Sequence, residues 1–246
     1  MGRLDDKVAI ITGAARGQGE AEARLFAAEG ATVVITDVLS TEGQAVAESL
    51  DATFHHHDVS NEDAWAQVVN ATIEDHGRID VLVNNAGIYH RAKLLDHTLD
   101  DLRRILDVNL IGVFLGMQAV APTMISQGSG SIVNISSIAG LRAGAACIGY
   151  VASKFAVTGM TKTAAIELAR HNVRVNSIHP GMIDTDMIHE VSGGDQNRFD
   201  RIAKSVPIGR AADPGEIAKL ALFLASDDSS YSTGSEFVAD GGVTAT

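Results

Sequence analysis

Residues 7–19 read KVAIITGAARGQG, and this stretch decides the fold. The apolar run VAIIT is typical of a buried strand, and the residues from Glu20 onward, EAEARLFAAEG, space their apolar positions as a helix does. Between the two lie Gly13, Gly17 and Gly19, whose missing side chains let backbone N–H groups approach a pyrophosphate at a helix N-terminus. The spacing differs from the G-x-G-x-x-G pattern, so the glycines alone also fit a simple tight turn.

The rest of the chain alternates short β-branched runs with longer helical patterns, which predicts a parallel sheet with helices on both faces. The candidate strands are residues 7–12, 32–37, 53–59, 80–84, 131–136, 174–179 and 236–239. Helix starts carry capping signals at Ser60 with Asp63, Thr98 with Asp101, and Asp213 with Glu216. We therefore predict a single α/β domain, a doubly wound Rossmann fold with a seven-stranded parallel sheet, over residues 1–246.

Composition limits the partners. The 31 Asp and Glu residues against 19 Lys and Arg residues give a formal net charge of −12, which repels nucleic acid and anionic lipid, so we expect neither partner.

Cys147 is the only cysteine, which excludes an intrachain disulfide and suits a cytoplasmic location. The first residues fit neither a secretory signal nor a membrane span. His55 and His57 share a strand face but have no obvious third ligand, so we expect no metal.

Asp37 bears on the choice of cofactor, because it ends the second predicted strand eighteen positions after Gly19. An acid there can accept hydrogen bonds from both ribose hydroxyls of NAD, and it repels a 2′-phosphate. Arg16 favours NADP instead, since a guanidinium can pair with that phosphate, but Val38 supplies no second base. The residues therefore favour NAD. The NNAG sequence at 84–87 ends the fourth strand at the same edge, although a plain turn also fits it.

Three residues indicate proton transfer at an oxygen. Tyr150 and Lys154 stand at i and i+4 of a helical run and share one face, so the ammonium favours the phenolate. A free tyrosine has a pKa of about 10, too high for an efficient acid or base near neutrality. Ser137 ends the fifth strand, and its hydroxyl can hydrogen-bond a substrate oxygen as charge develops there. Each residue alone has an ordinary structural explanation, but all three converge on the edge of the sheet that the glycines mark.

The combination of TGAARGQG, Asp58 in HDVS, NNAG, Asn109 in LDVNLIGVF, Ser137 with YVASK, and PGMIDT resembles the short-chain dehydrogenase/reductase family, over residues 7–242. The resemblance implies the strand order 3-2-1-4-5-6-7 and a catalytic tetrad of Asn109, Ser137, Tyr150 and Lys154. In that tetrad Tyr150 exchanges the proton with the substrate oxygen, which Ser137 orients. Lys154 lowers the pKa of Tyr150 and holds the nicotinamide ribose, while Asn109 holds a water that relays protons.

The same resemblance implies where the dinucleotide binds. Asp58 would meet the adenine, and Pro180, Gly181, Ile183 and Thr185 would line the nicotinamide. The implied cofactor-binding set is Gly13, Arg16, Gly17, Gln18, Gly19, Asp37, Asp58, Val59, Asn85, Ala86, Gly87, Tyr150, Lys154, Pro180, Gly181, Ile183 and Thr185. Around TGAARGQG the chain is most similar to bacterial NAD-dependent hydroxysteroid and secondary-alcohol dehydrogenases.

The substrate must be recognised by residues near Tyr150, and the candidates are mostly apolar. They are Ile138, Leu141, Ala145, Ile148, Met182, Met187 and Phe199. This composition favours a hydrophobic secondary alcohol or ketone. Residues 182–207 lack a clear periodicity and are expected to form a substrate-binding loop or lid, with Gly193 and Gly194 as its hinge. An NADPH-dependent 3-oxoacyl reductase and a non-catalytic dinucleotide-sensing scaffold remain as alternatives.

Two helical patterns carry more apolar surface than one sheet face needs. The first covers about residues 100–124 and includes Ile111 and Phe114, and the second follows Tyr150 and includes Phe155. Members of the resembled family commonly pair these two helices across a two-fold axis. We therefore expect a homo-oligomer, most simply a tetramer.

Overall fold

The computed structural model describes residues 2–245, with only the backbone of Val191, and contains a seven-stranded parallel sheet. The strand order is β3-β2-β1-β4-β5-β6-β7, as predicted. The strands are β1 Val8–Thr12, β2 Thr32–Asp37, β3 Thr53–His56, β4 Val81–Asn84, β5 Gly130–Ile135, β6 Val173–Pro180 and β7 Glu236–Ala239. The helices are α1 Gly17–Ala28, α2 Ser40–Leu50, α3 Glu62–His76, α4 Leu99–Leu106, α5 Gly112–Gln127, α6 Ile148–Leu168, α7 Asp186–Val191, α8 Gln196–Ser205 and α9 Pro214–Ala225. Short 3₁₀ turns cover Ile138–Gly140, Ala169–His171 and Asp227–Ser229.

The core lies on both faces of the sheet, because alternate residues of each strand point to opposite sides. Ile11 packs in one apolar cluster with Phe26 of α1 and Leu222 of α9. Its neighbour Ile10 packs in the other cluster, with Trp65 of α3 and Met124 of α5. Burial on both faces explains why β1 is a continuous apolar run from Val8 to Ile11 rather than alternating.

Two local predictions were wrong at the end of β3. The strand stops at His56 rather than at residue 59, because its partner β2 ends at Asp37 and the last ladder bond runs from the His57 N–H to the Asp37 carbonyl at 2.9 Å. The next helix is capped by Asn61, whose side chain accepts from the Ala64 N–H at 3.1 Å, and not by Ser60. Ser60 instead donates to the Asp58 carboxylate. The capping boxes at Thr98 and at Asp213 are confirmed.

The helical pattern of residues 100–124 corresponds to one long helix, Leu99–Gln127, interrupted by a π-helical turn at Asp107–Ile111. Among residues 2–245 this is the one helix long and apolar enough to cross a membrane, a criterion that core helices also meet. It packs against α3 and α6. A π-turn inserts one extra residue per turn, so it reorients the side chains that it carries.

The sequence suggested a loop at residues 182–207, but the structure has helices there. These residues form the two short helices α7 and α8, separated by Gly193 and Gly194, which both have positive φ angles, +72° and +71°. The α8 helix is capped by the Asp195 carboxylate, which accepts from the Asn197 and Arg198 N–H groups. The predicted glycine hinge therefore coincides with the turn between two helices.

Glu22 is a buried acid in α1, the helix that packs against α9. Its Oε1 accepts from the Gln18 side chain at 3.0 Å, while its Oε2 has no hydrogen-bond partner among the described residues. Burial raises the pKa of Glu22 to about 8, since the apolar surroundings penalise the charged form, although the Gln18 hydrogen bond opposes the rise. The folded protein therefore holds a neutral carboxylic acid at pH 7.

The pKa of Glu22 predicts a pH-dependent loss of stability. Below about pH 4.5 the acid is protonated in both the folded and the unfolded chain, so its ionisation does not change the free energy of unfolding there. From about pH 4.5 to about 8 only the unfolded chain ionises, and the free energy of unfolding falls by up to about 1.4 kcal/mol per pH unit. We expect Glu22→Gln to match the wild type in Tm near pH 4.5 and to exceed it at pH 8. The exposed Glu42→Gln is the control, and parallel Tm curves for all three proteins would contradict the prediction.

Candidate functional site

A cleft of about 570 Å³ opens at the carboxyl ends of the strands, a size usual for small-molecule sites. It is lined by residues from the turns after β1, β2, β3, β4, β5 and β6 and from α1, α4, α6 and α7. The predicted site residues on its wall are Gly13, Arg16, Gly17, Gln18, Asp37, Asp58, Val59, Asn85, Ala86, Gly87, Ser137, Tyr150, Lys154, Pro180, Gly181, Ile183 and Thr185. Gly19 and Asn109 are the two that do not line it.

The glycine turn joins β1 to α1 by a close approach of backbones. Gly13 has a φ of +65°, and a Cβ there would lie 2.7 Å from the Cα of Ala86, so only glycine fits. Gly19 lies behind the turn, where a Cβ would be 2.3 Å from the Gly13 carbonyl oxygen. Its role is therefore to let α1 pack closely on the turn, which explains its absence from the wall of the cleft.

The N-terminus of α1 lies at this cleft, where Gly17 and Gln18 form part of the wall. Arg16 is the N-cap residue, and its side chain makes no capping hydrogen bond. Uncapped N–H groups with the positive end of the helix dipole bind phosphate groups well. The turn and the helix thus fit a pyrophosphate, and the remaining walls of the cleft extend to both sides of it.

Asp37 presents a carboxylate to the cleft at the end of β2. Its Oδ2 accepts from the Ala15 N–H and its Oδ1 from the Leu39 N–H, both at 3.0 Å. These two bonds fix the carboxylate while leaving lone pairs for ribose hydroxyls. Asp58 lies on the next turn and accepts from the Ser60 hydroxyl and N–H, which lowers the pKa of that carboxyl below its usual value.

The NNAG turn after β4 is tied to the glycine turn. The Asn85 side chain donates to the Thr12 carbonyl at 2.9 Å and to the Gly13 carbonyl at 3.0 Å. The Thr12 hydroxyl accepts in return from the Asn85 and Ala86 N–H groups, both at 3.0 Å. These bonds lock the ends of β1 and β4 together, so the floor of the cleft is preorganised.

Ser137 and Tyr150 meet at the end of β5. Ser137 Oγ accepts from the Ala139 N–H at 3.1 Å and also hydrogen-bonds the Tyr150 hydroxyl. Burial raises the pKa of Tyr150 above its ordinary value, and the Ser137 hydrogen bond opposes that rise. The net direction of the Tyr150 pKa is set by burial, and the lowering of that pKa by Lys154 stays a prediction.

Lys154 lies beside the tyrosine rather than on its hydroxyl. Its Nζ donates to the Ile135 carbonyl at 2.7 Å and lies 5.6 Å from the centre of the Tyr150 ring. Burial lowers the pKa of Lys154 to about 8, so its charge is lost at mildly alkaline pH. A Cβ on Gly87 would lie 3.8 Å from this Nζ, which shows that the NNAG turn and Lys154 share one part of the cleft.

Asn109 is fully buried in the π-turn, one layer behind the cleft. Its Oδ1 accepts from the Ile88 N–H at 2.8 Å, and its Nδ2 donates to the Ile88 carbonyl at 2.9 Å and to Ser153 Oγ at 3.3 Å. Asn109 thus holds the backbone that follows NNAG. The relay of protons through a water held by Asn109 stays a prediction.

The segment after β6 covers the other side of the cleft. Arg16 forms an ion pair with Asp186 of α7 at 3.0 Å, which joins the glycine turn to this segment. Of the seven apolar residues expected around the substrate, only Met187 lines the cleft. Phe199 is buried and stacks on His189, with ring centres 4.6 Å apart, and it lines a separate cavity of about 280 Å³. Within 182–207, Phe199 is thus part of the packing between α8 and α7.

Several residues of the wall were missed. They include Leu39, His57, Ile88, Arg104, Val108, Ser136, Asp186 and Ile188. Tyr89, also missed, packs its ring against that of Tyr150, with centres 5.0 Å apart. Burial and the nearby Cys147 thiol raise the pKa of Tyr89 to about 12. Ile88 and Tyr89 directly follow NNAG, so their position next to that turn could have predicted that they lie near the cleft. Arg104 and Val108 reach the cleft from the long helix, where no neighbouring motif marks them.

The fold and cleft define a dinucleotide-binding α/β protein, and comparisons with known proteins give its family. Residues 13–244 match a family model described as Enoyl-(Acyl carrier protein) reductase. The chain is 49% identical over 246 residues to a 3-alpha-(or 20-beta)-hydroxysteroid dehydrogenase of Mycobacterium tuberculosis, covering 99% of this chain and 92% of the relative. It is 46% identical to a trans-4-hydroxycyclohexanecarboxylate dehydrogenase of Sinomonas cyclohexanicum, covering 99% and 95%. A 3-oxoacyl-[acyl-carrier-protein] reductase of Thermotoga maritima is 43% identical, covering 98% and 99%.

Solved structures agree with these sequence matches. Levodione reductase superposes with a TM-score of 0.94 at 36% identity, covering 99% of both chains. A gluconate 5-dehydrogenase from Burkholderia cenocepacia, in complex with NADP and tartrate, gives a TM-score of 0.94 at 35% identity, covering 99% of this chain and 97% of the other. The chain therefore belongs to the short-chain dehydrogenase/reductase family, a family that binds a nicotinamide dinucleotide, and it is an oxidoreductase.

Proposed function

We propose that this protein is an NAD-dependent oxidoreductase that interconverts a hydrophobic secondary alcohol, such as a hydroxysteroid or a cyclic or aryl alcohol, and its ketone. The hydrogen bond between Ser137 and Tyr150 carries the proposal. It lies in the same cleft as the Asp37 carboxylate, three strands along the sheet, a span of about 14 Å at the usual strand spacing. Such a cleft can hold an extended dinucleotide and place a proton donor where the hydride is exchanged.

In this proposal Tyr150 moves the proton. Because burial raises its pKa, the phenol is protonated at neutral pH, which is the form that donates to a ketone oxygen. Alcohol oxidation requires the phenolate, which the hydrogen bond from Ser137 stabilises. The bound nicotinamide supplies or accepts the hydride. Lys154 would hold the nicotinamide ribose and Asn109 the water relay, as family membership implies.

The wall near Tyr150 supports an apolar substrate. The Tyr89 ring packs on Tyr150, and Val108 and Met187 add aliphatic surface to the cleft. The hydroxysteroid and hydroxycyclohexanecarboxylate dehydrogenases among the relatives, named for ring alcohols, point the same way. Residues 182–207 would act as the lid over this part of the cleft, within the single domain of residues 1–246. Turnover confined to polyanionic substrates would contradict the apolar assignment.

Replacing Tyr150 by Phe tests the chemistry directly. Loss of the hydroxyl removes the proton donor but leaves the ring packing, so turnover should fall by at least about 10²–10⁴-fold while dinucleotide affinity changes little. Turnover is measured as absorbance at 340 nm with steroids, cyclic and linear alcohols and acyl thioesters, and affinity by titration of the reduced dinucleotide. The fully exposed Tyr231→Phe is the matched control. Unchanged turnover in Tyr150→Phe would refute the mechanism, and a wild type inactive on every substrate would favour a dinucleotide-sensing scaffold.

Two observations support a preference for NAD: the position of the Asp37 carboxylate and the ion pair between Arg16 and Asp186. The Asp37 carboxylate is held in the cleft by two backbone N–H groups, where it can accept from ribose hydroxyls. The Arg16 guanidinium, which could attract a 2′-phosphate, already pairs with Asp186. The NADPH-dependent 3-oxoacyl reductase is the second candidate, and the 43% identity to a 3-oxoacyl-[acyl-carrier-protein] reductase favours it.

Substitution of Asp37 tests the cofactor preference. We expect Asp37→Asn to lower kcat/KM with NAD and to raise it with NADP, moving their ratio by at least about tenfold, since the repulsion of a 2′-phosphate is removed. Both constants are measured with one alcohol substrate. Asp58→Asn, on the neighbouring turn, is the control and should leave the ratio of the two constants nearly unchanged. A wild type that already prefers NADP would overturn the assignment.

A homotetramer in the cytoplasm is the assembly that we propose. Apolar side chains lie exposed on the long helix and α6, namely Ile111, Phe114, Ile125, Phe155 and Ile166. Exposed apolar side chains of this kind favour association between copies of the chain. Cys147, the only cysteine, is buried, which suits a reducing compartment.

The oligomeric state can be measured by light scattering after size exclusion. We expect a tetramer at micromolar concentration and smaller species for Phe114→Glu, because the charge is costly in an apolar contact. Leu95→Glu, at a 95% exposed loop position, is the control and should leave the mass unchanged. A monomeric wild type would contradict the prediction.

A further inference from the structure

A buried network of polar side chains reaches the backbone of Ser137 from β6. His179, near the carboxyl end of β6, is 0% exposed. Its Nδ1 lies 3.0 Å from the Ser137 carbonyl oxygen, and its Nε2 lies 2.8 Å from the hydroxyl oxygen of Ser177. Ser177 is itself buried within β6. The two hydrogen bonds of the imidazole thus link the middle of β6 to the backbone of Ser137.

Only one form of the imidazole satisfies both contacts as a neutral ring. A carbonyl oxygen can only accept, so Nδ1 carries the hydrogen that is donated to Ser137. The unprotonated Nε2 then accepts the hydroxyl hydrogen of Ser177. Burial lowers the pKa of His179, which favours this neutral form. The charged groups around the ring oppose one another, since Glu236 of β7 favours the cation while Lys154 and Lys162 disfavour it.

The Ser137 carbonyl needs this partner because Ser137 lies beyond the end of β5. The Ser136 N–H still bonds the Ile178 carbonyl of β6 at 2.8 Å, but Ser137 has left the ladder. Its carbonyl accepts from the Gly140 N–H at 2.8 Å and from His179, which together use both lone pairs. The Ser137 hydroxyl, on the same residue, bonds Tyr150.

We propose that His179 is a positioning residue: through the hydrogen bond from its Nδ1 to the Ser137 carbonyl it fixes the Ser137 hydroxyl against Tyr150. The proposal rests on the proposed function, in which that hydroxyl orients the substrate oxygen. Loss of the Nδ1 donor leaves a buried carbonyl short of one partner and lets Ser137 rotate. The Ser137 hydrogen bond that stabilises the phenolate is then weakened.

Two amide variants separate positioning from packing, since the Asn amide lies near the place of Nδ1 and the Gln amide near that of Nε2. We expect His179→Gln to lower kcat for alcohol oxidation at least tenfold and to move the acid limb of the kcat profile to higher pH. His179→Asn should recover much of kcat and return the limb towards its wild-type position. The affinity for the dinucleotide should be unchanged in both variants. Equal kcat losses with an unmoved pH profile would overturn the proposal.

The tautomer of His179 can be measured in the wild-type protein, so this test requires no substitution and no enzymatic activity. In ¹⁵N-labelled wild-type protein, the ring nitrogens of His179 should show hydrogen on Nδ1 and a bare Nε2. Assignment of the hydrogen to Nε2 would overturn the proposal. A wild type with the Nδ1–H form but no alcohol turnover would instead contradict the proposed function while leaving the hydrogen bond established. Ser177→Ala, which removes the far partner of the ring, should give a smaller kcat loss than His179→Gln.

Discussion

The parallel pairing of β1 with β2 and β4 is the constraint on which the cleft depends. All five residues of β1 are buried, and its register places Thr12 opposite Thr36 and Ile11 opposite Val83. The three strands therefore end at one edge, where the glycine turn, Asp37 and the NNAG turn follow them. A slip by one residue would exchange the two faces of the strand, so the two apolar clusters hold this register firmly. The position of the cleft is thus set by core packing before any ligand is considered.

The same burial that fixes the strands works against the chemistry at Tyr150. Desolvation raises the pKa of the phenol and lowers that of Lys154 to about 8, so both groups are driven towards their neutral forms. The hydrogen bond from Ser137 is the contact that opposes the change at Tyr150. Its geometry is maintained by the turn at Ile138–Gly140 and by His179 from β6, rather than by Ser137 alone. The pKa of Tyr150 therefore depends on the backbone positions of two neighbouring strands, β5 and β6.

Local sequence patterns predicted the parallel sheet and the turns that line most of the cleft, whereas the strand order was implied by the resemblance to the family. Buried parallel strands are continuous apolar runs, and the turns that follow them carry glycine, asparagine or acid. The failures have tertiary causes. β3 stops after His56 because its pairing partner β2 ends at Asp37, and Phe199, proposed to contact the substrate, is buried in α8 against His189 of α7. Nothing in the pattern around Ser177 and His179 signals that their side chains reach the Ser137 carbonyl, since that contact crosses between strands.

The choice between the two dinucleotides can be weighed by magnitude. Two like charges about 4 Å apart repel by roughly 4 kcal/mol at the dielectric usual near a protein surface. An exposed ion pair of the kind that joins Arg16 to Asp186 contributes about 0–1 kcal/mol, so breaking it to reach a 2′-phosphate costs little. At the same distance and dielectric a guanidinium attracts the phosphate as strongly, but Arg16 must leave Asp186 and lose side-chain freedom to do so, whereas Asp37 is already fixed. Asp37 therefore outweighs Arg16, and the balance supports NAD. The two N–H groups that fix Asp37 strengthen this conclusion, because they prevent the carboxylate from turning away from an approaching phosphate.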